Sequence, residues 1–510
     1  MDFGIEKTTV KQCETVFEGK CEQSIDTEIS LPEYCGDIQR ILKCCSQINV
    51  RSSQLTGGRF VVEGDAVLRL LYVSDDEKTD CFEQVIPLSC YQDVNAPDGS
   101  FCVDVSPSVE YLNCRALSQR RASVNGKVCI KYALLQTTEK DVVCETKGDC
   151  IQTKNAVMPL QILNGMAERT FEMTETISLE DNELSVGAIV STDACIVPSS
   201  IKAISGKVLF KGDLLIDTVY FADTDKRELV CKKHSMPVSQ IIEIGGADDT
   251  CLCISDAKNI SVSVTAKPDS AGAKRLLDYV CRNTVIVKAY SPTELNVLTD
   301  SYCVQGEMAA DYQLFDFVTA VHTKDEEKVV RAGVDIAIGA SGEVLQAFCQ
   351  SVAVQSMKTD ESRTECRVTA VVGVCYTDAD DKKCYAEKTL DFDVVHDISK
   401  SNGSLNCLPR FAVKEVSASK LGGDKVEIRL TLNVTSTVYD KLTQSVCTQM
   451  RLEDGTNSNS GGKVTLYFCD GGENVWEIAK KYKSKINDIK TENALDGETV
   501  PDKRMLVIPS

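Results

Sequence analysis

The chain has 510 residues, 43% of them hydrophobic and 26% charged, which suits a folded protein of several domains and excludes wholesale disorder. Lys and Arg number 56 against 76 Asp and Glu, a net charge of −20 that repels nucleic-acid phosphates and anionic lipid. Only three histidines occur, His234, His322 and His396, which leaves little material for the commonest acid–base chemistry.

The opening, MDFGIEKTTVKQCETVFEGK, lacks a basic stretch followed by an apolar run and does not read as a secretory signal. The 25 cysteines are an odd number, spread along the chain, and many sit in apolar alternating stretches, such as Cys129 in KVCIK and Cys375 in GVCY. There they read as small buried hydrophobes, so a reducing cytoplasm, that of an anaerobe, is the expected compartment. No apolar run approaches the roughly 20 residues of a membrane span.

The body of the chain repeats itself. Ile29-Ser30-Leu31 recurs as Ile177-Ser178-Leu179, Gly64-Asp65 as Gly212-Asp213, Tyr72 as Tyr220 and Asp75 as Asp223, always 148 positions on. ECRVTAVVGVCYTDAD, with Asp378 in the place of Asp223, marks a third, diverged copy. KVCIKY from Lys127, TVIVKAY from Thr284 and KVEIRL from Lys425 recur later in each unit. Period-two stretches such as VVEGDAVLRLLYV predict half-buried strands, broken by Asp, Gly, Asn and Pro turns. The expectation is a mainly β protein of tandem antiparallel sandwich-like repeats at 1–152, 153–303 and 304–450. Lys274 to Cys281 could be a short helix. Residues 451–462 have the composition of a flexible linker.

Residues 463–510 read as a separate βααβ module. Val464-Thr465-Leu466-Tyr467-Phe468 predicts a strand, Gly471-Gly472 a turn and Asn474 a helix cap. Val475, Ile478, Ala479 and Tyr482 share one helical face; Ile486 and Ile489 suggest a second helix, and Met505 to Ile508 a closing strand. Gly472, Trp476, Ile478-Ala479, Tyr482, Asn493, Leu495 and Ile508-Pro509 resemble the pattern of the LysM family. That resemblance implies binding of N-acetylglucosamine polymers such as peptidoglycan, in a groove between the loops after the first strand and before the last. Here those loops carry Glu473-Asn474 and Pro501-Asp502-Lys503-Arg504 in place of the family's Asp-Thr pair and glycine, which favours protein over glycan as ligand. The module is expected to be an autonomous docking unit behind its linker.

The segment from Leu31 to Cys44, LPEYCGDIQRILKC, resembles the opening of a SPOCS domain. Together with a terminal LysM module, the architecture is similar to clostridial spore-coat morphogenetic proteins, SpoVID-like in role, which partner the coat ATPase SpoIVA. The resemblance implies a scaffold in the mother-cell cytoplasm at the forespore surface, later in the spore coat, that contacts other coat proteins; the alternative is a cell-wall or cortex protein that binds peptidoglycan. Trp476, Val475, Ile478, Tyr482, Gly472, Asn474, Asn493 and Leu495 are the residues expected to carry module integrity or partner binding.

No catalytic residue, cofactor or metal site is expected. The chain has no Gly-x-Ser-x-Gly, no phosphate-binding loop, no Gly-x-Gly-x-x-Gly and no His-Glu-x-x-His. Cys44-Cys45 and Cys251-x-Cys253 lack the Cys-x-x-Cys spacing of zinc ribbons. The acidic turns at Asp75-Asp76, Asp223-x-Asp225 and Asp378-x-Asp380-Asp381 lack calcium-loop spacing and read as hairpin chemistry.

Overall fold

Long runs of alternating Val, Ile, Thr and Tyr become strands of 15 to 30 residues, which form three sets of six. The computed structural model describes residues 4–95, 98–401, 403–453 and 464–509. The first set is β1 (Gly4–Ser30), β2 (Ile38–Thr56), β3 (Arg59–Ser74), β4 (Thr79–Asp93), β5 (Cys102–Ser118) and β6 (Arg121–Lys147). The second is β7 (Ile151–Ser178), β8 (Val186–Ile204), β9 (Lys207–Ala222), β10 (Leu229–Glu243), β11 (Leu252–Pro268) and β12 (Lys274–Cys303). The third is β13 (Glu307–Asp335), β14 (Val344–Thr359), β15 (Arg363–Thr377), β16 (Lys383–Asp397), β17 (Ser404–Gly422) and β18 (Lys425–Glu453).

Each set folds alike. Its sixth strand lies between the first and fifth, its third lies between the second and fourth, and all pairings are antiparallel. The two three-stranded sheets enclose an apolar core, for example Val208, Phe210, Leu214, Tyr279 and Val285 in the second unit. Two seams then join the units. Val10 and Val142, Met158 and Val297, and Phe317 and Val446 bring the first and last strands of all three units into one cluster. Leu71, Val219 and Cys375, at matching places on β3, β9 and β15, meet in the other.

The seams explain two departures from the sequence reading. The second half of β3, Leu70 to Val73, is buried on both faces rather than half-buried, because one face lines its own sandwich and the other the seam. Lys274 to Cys281 is strand, not helix, since it forms the start of the central strand β12. The linker composition also begins later than expected: Arg451 to Glu453 still pair with Glu307 to Ala309 as the end of β18, and 454–462 lie outside the described residues.

The repeated motifs have structural causes. In β2 and β8 bulges interrupt the register between Val50 and Ser52 and between Pro198 and Ser200. There the neighbouring carbonyl crowds the central strand: a Cβ on Gly64 would lie 2.3 Å from the Asn49 carbonyl oxygen, and one on Gly212 would lie 2.6 Å from that of Val197. Gly64→Ala or Gly212→Ala is therefore expected to lower stability by about 2 kcal/mol, the cost of overpacking against backbone that cannot swing aside. Thermal denaturation checks this, and an unchanged midpoint would show that the bulge yields freely.

The LPEYCGD segment is the connection from β1 to β2. Arg120, in the β5–β6 hairpin, grips it by donating to Asp37 and to the Pro32 and Cys35 carbonyls. Arg275 does the same for the second unit through the Glu183 and Leu179 carbonyls. Lys420 replaces the arginine in the third, donating to Ala340 and Gly342. The Tyr72 hydroxyl donates to the Gly36 carbonyl and that of Tyr220 to Leu184, so the repeated tyrosine fastens the same loop from the core. Asp75, Asp223 and Asp378 follow β3, β9 and β15 at their hairpins; Asp378 accepts the Asp380 and Lys382 amides, the turn chemistry expected of aspartate.

Candidate functional site

The last 46 described residues form β19 (Val464–Cys469), α1 (Val475–Tyr482), α2 (Ile486–Asn493) and β20 (Arg504–Pro509), with β19 and β20 paired antiparallel. Gly471 and Gly472 take φ of 81° and 80°, a left-handed turn that other residues enter only with strain. The Asn474 side chain then caps α1 by accepting the Trp476 amide at 2.8 Å. Val475, Ile478 and Ala479 are buried with Ile489, Leu495, Val500, Leu506 and Ile508, and Tyr482 packs at their edge against Tyr467, with ring centroids 5.5 Å apart. Asn493 is buried and fully used: its amide donates to the Ile489 and Val507 carbonyls and its oxygen accepts the Val507 amide, which staples α2 to β20.

The module does not hang free of the body. The Trp476 indole N–H donates to Asp300 Oδ2 at 2.7 Å, and Lys480 Nζ lies 2.6 Å from Asp300 Oδ1. The Tyr302 ring meets Trp476 edge-on at 5.2 Å and its hydroxyl donates to the Ser484 carbonyl. Lys483 pairs with Glu307, and the Ile486 amide reaches Gln152. Trp476 is thus both module core and the anchor of an internal interface on β12 and β13, a correction to the expectation of an independently strung unit. Asp300, Tyr302, Glu307 and Gln152 were not singled out in the sequence, because their partners lie more than 170 positions away.

Two surfaces of the module stay open. The loops around Gly472 and Pro501 to Lys503 face solvent, and the Lys503–Asp470 ion pair of 3.1 Å spans them. On the sheet, Val464, Leu466, Phe468 and Met505 are 63%, 61%, 66% and 60% exposed. Phe468 lies opposite Met505 in the register, so these side chains share one apolar face. The strand was legible from its alternation; that its apolar face has no covering partner among the described residues was not.

Burial pushes the Cys281 thiol up to about 12, so it stays a protonated, unreactive thiol. A cavity of about 640 Å³ between the second and third units contains Asp193 and Asp217, which face each other across β8 and β9. Crowding at the cavity wall raises the pKa of both, although Asp193 keeps contact with solvent. One trio of the described residues could approach a cation, Glu22, Glu110 and Cys129, but the Lys127 ammonium already lies on both carboxylates and holds Glu22 down to about 2.

Residues 37–117 and 185–266 match the family described as SipL, SPOCS domain. The matched segments start 148 positions apart and cover β2 to β5 and β8 to β11, corresponding parts of the first two units. This supports a SPOCS-domain, sporulation-related protein. Comparison with curated proteins and with solved structures finds no match to the chain. Among the described residues no helix is long and apolar enough to cross a membrane.

Proposed function

We propose that this chain is a non-enzymatic scaffold of spore-coat assembly, which binds the coat ATPase SpoIVA through its C-terminal LysM-like module and works at the forespore surface in the mother-cell cytoplasm. The observation that carries the protein-binding part is the exposed apolar face of Val464, Leu466, Phe468 and Met505 on a module whose own core is already complete. Such a face on a soluble surface marks a contact site for another protein. The duplicated SPOCS match supports the sporulation setting. The ion pair across the sugar-groove loops and the absence of a glycine before β20 argue against close seating of a glycan.

Docking of the module on the body fixes the direction of the apolar face. A partner layer made of many copies would then engage many such faces, and multivalency would turn weak single contacts into firm attachment.

Pull-down with the purified ATPase tests the reading. The intact chain is expected to capture it, and the chain ending at Gly462 to lose at least tenfold; equal capture by both would remove the module's role. Sedimentation of the intact chain with peptidoglycan in place of ATPase capture would instead support the glycan alternative.

A further inference from the structure

A second cavity, about 450 Å³, lies where the first, second and third units meet. Its wall takes one lysine from the last strand of each unit: Lys140 from β6, Lys288 from β12 and Lys441 from β18. These are not copies of one repeated position. Lys288 follows the TVIV motif, where the matching residues are Lys131 and Arg429, so three different places in the repeat have been filled with the same charge.

Concentrating cations at the centre of a chain with net charge −20 calls for a counter-charge. Part of it is internal. Lys140 pairs with Glu14 at 2.6 Å and lies over the Phe315 ring, and Lys11, at the margin, pairs with Glu139 at 2.9 Å. Lys288 and Lys441 have no carboxylate within 4 Å among the described residues. Lys288 lies 5.7 Å over the Tyr439 ring and beside Cys13, and the one carboxylate that acts on it, Asp256, is shared with Lys258 and Arg410, so its charge is only partly offset. Asp316, the remaining acidic residue of the wall, is occupied by the Thr443 hydroxyl and is exposed.

The other polar groups suit an anion. Tyr290 and Tyr439 are buried in the wall, and burial raises the pKa of both, so both stay neutral; the two hydroxyls bond to each other, which leaves one phenol O–H of the pair to donate into the cavity. The Gln161 amide also lines the cavity, and its buried oxygen has no hydrogen-bond partner in the present orientation; a rotated amide would present its N–H₂ instead. Ammonium, phenol and amide donors converging from three units form a cage for a small oxygen-rich anion.

We infer that this axial cavity binds a compact multivalent oxyanion, of the phosphoryl or polycarboxylate type, which ties the three units together. Binding only the folded body, the ion would stabilise it by mass action. Calorimetric titration of the full chain with pyrophosphate, citrate and chloride at matched ionic strength tests the inference. Pyrophosphate or citrate should bind saturably, one per chain, and raise the thermal midpoint, whereas chloride should not. Saturation by pyrophosphate alone assigns a phosphoryl ligand, by citrate alone a polycarboxylate. K288Q and K441Q should each weaken binding about tenfold, as expected for loss of one charge-assisted contact. Lys441 is only half-buried and unpaired, so K441Q is expected to fold normally, which its own thermal midpoint verifies. Absence of saturable binding by either oxyanion, or undiminished affinity in folded K441Q, would overturn the site.

Discussion

Trp476→Ala is expected to destabilise the C-terminal module by about 3–5 kcal/mol, the usual cost of truncating a buried aromatic. The side chain is only 6% exposed and belongs to the module core, so its loss opens a cavity among Val475, Ile478 and Leu506. The same change removes the donor to Asp300 and the edge-on contact with Tyr302. A second variant separates the two roles. Asp300→Asn keeps an acceptor oxygen for the indole but removes the charge that Lys480 meets, at about 1 kcal/mol, and leaves the module core intact. Burial pushes the Asp300 pKa up, yet Lys480 and the indole N–H outweigh it and hold the carboxylate below its ordinary range. A depressed carboxylate pKa contributes its stability in full above the ordinary value of about 3.9 and loses it as pH falls through the depressed one. Docking should therefore persist at neutral pH and weaken under strong acid. The single tryptophan makes this measurable, because all indole fluorescence reports the interface. D300N should shift emission to the red with unchanged far-ultraviolet dichroism; an unshifted spectrum would mean that Asp300 does not hold the module.

The repeats were readable because their causes are local. Gly64 and Gly212 sit where a bulge crowds the backbone, and Tyr72 and Tyr220 reach a loop at fixed distance, so both pairs keep the same spacing of 148 positions. The module's strands and helices were readable for the same reason: Asn474 caps its own helix and Asn493 bonds within 14 positions. What pattern could not supply were contacts closed by tertiary approach alone. Tyr302 looks like any strand tyrosine until Ser484 arrives from 182 positions away. Lys140, Lys288 and Lys441 are scattered surface charges in the sequence, and only the meeting of three units makes them one wall. The start of β12 was open to a helical reading because KRLLDYVC contains two adjacent leucines that fit either period, and the pairing with β7 on one side and β11 on the other decides for strand.

Phe317→Ala is expected to lower the stability of the whole body, not of one repeat, by about 3–5 kcal/mol. Phe317 is 1% exposed, stacks on Phe315 with centroids 5.7 Å apart, and packs in the cluster that takes Val10 and Val142 from the first unit and Met158, Leu160, Leu295 and Val297 from the second. Independent repeats strung in a row would confine the damage to the third, and urea unfolding would split into two transitions. Units that share a seam instead lose stability together: dichroism and tryptophan fluorescence should still report one coincident transition, moved to lower urea. The geometry favours the second outcome because the long strands are divided between two jobs. Val10 of β1 lies in the seam while Ile25 and Ile29 of the same strand lie in the sandwich core, so loosening the seam loosens the strand that closes the sandwich. A chain of only two such units would leave the apolar ends of β1, β6, β7 and β12 facing water. On this reading the diverged third repeat is retained for closure of the seam, although its loop clamp has changed from arginine to lysine.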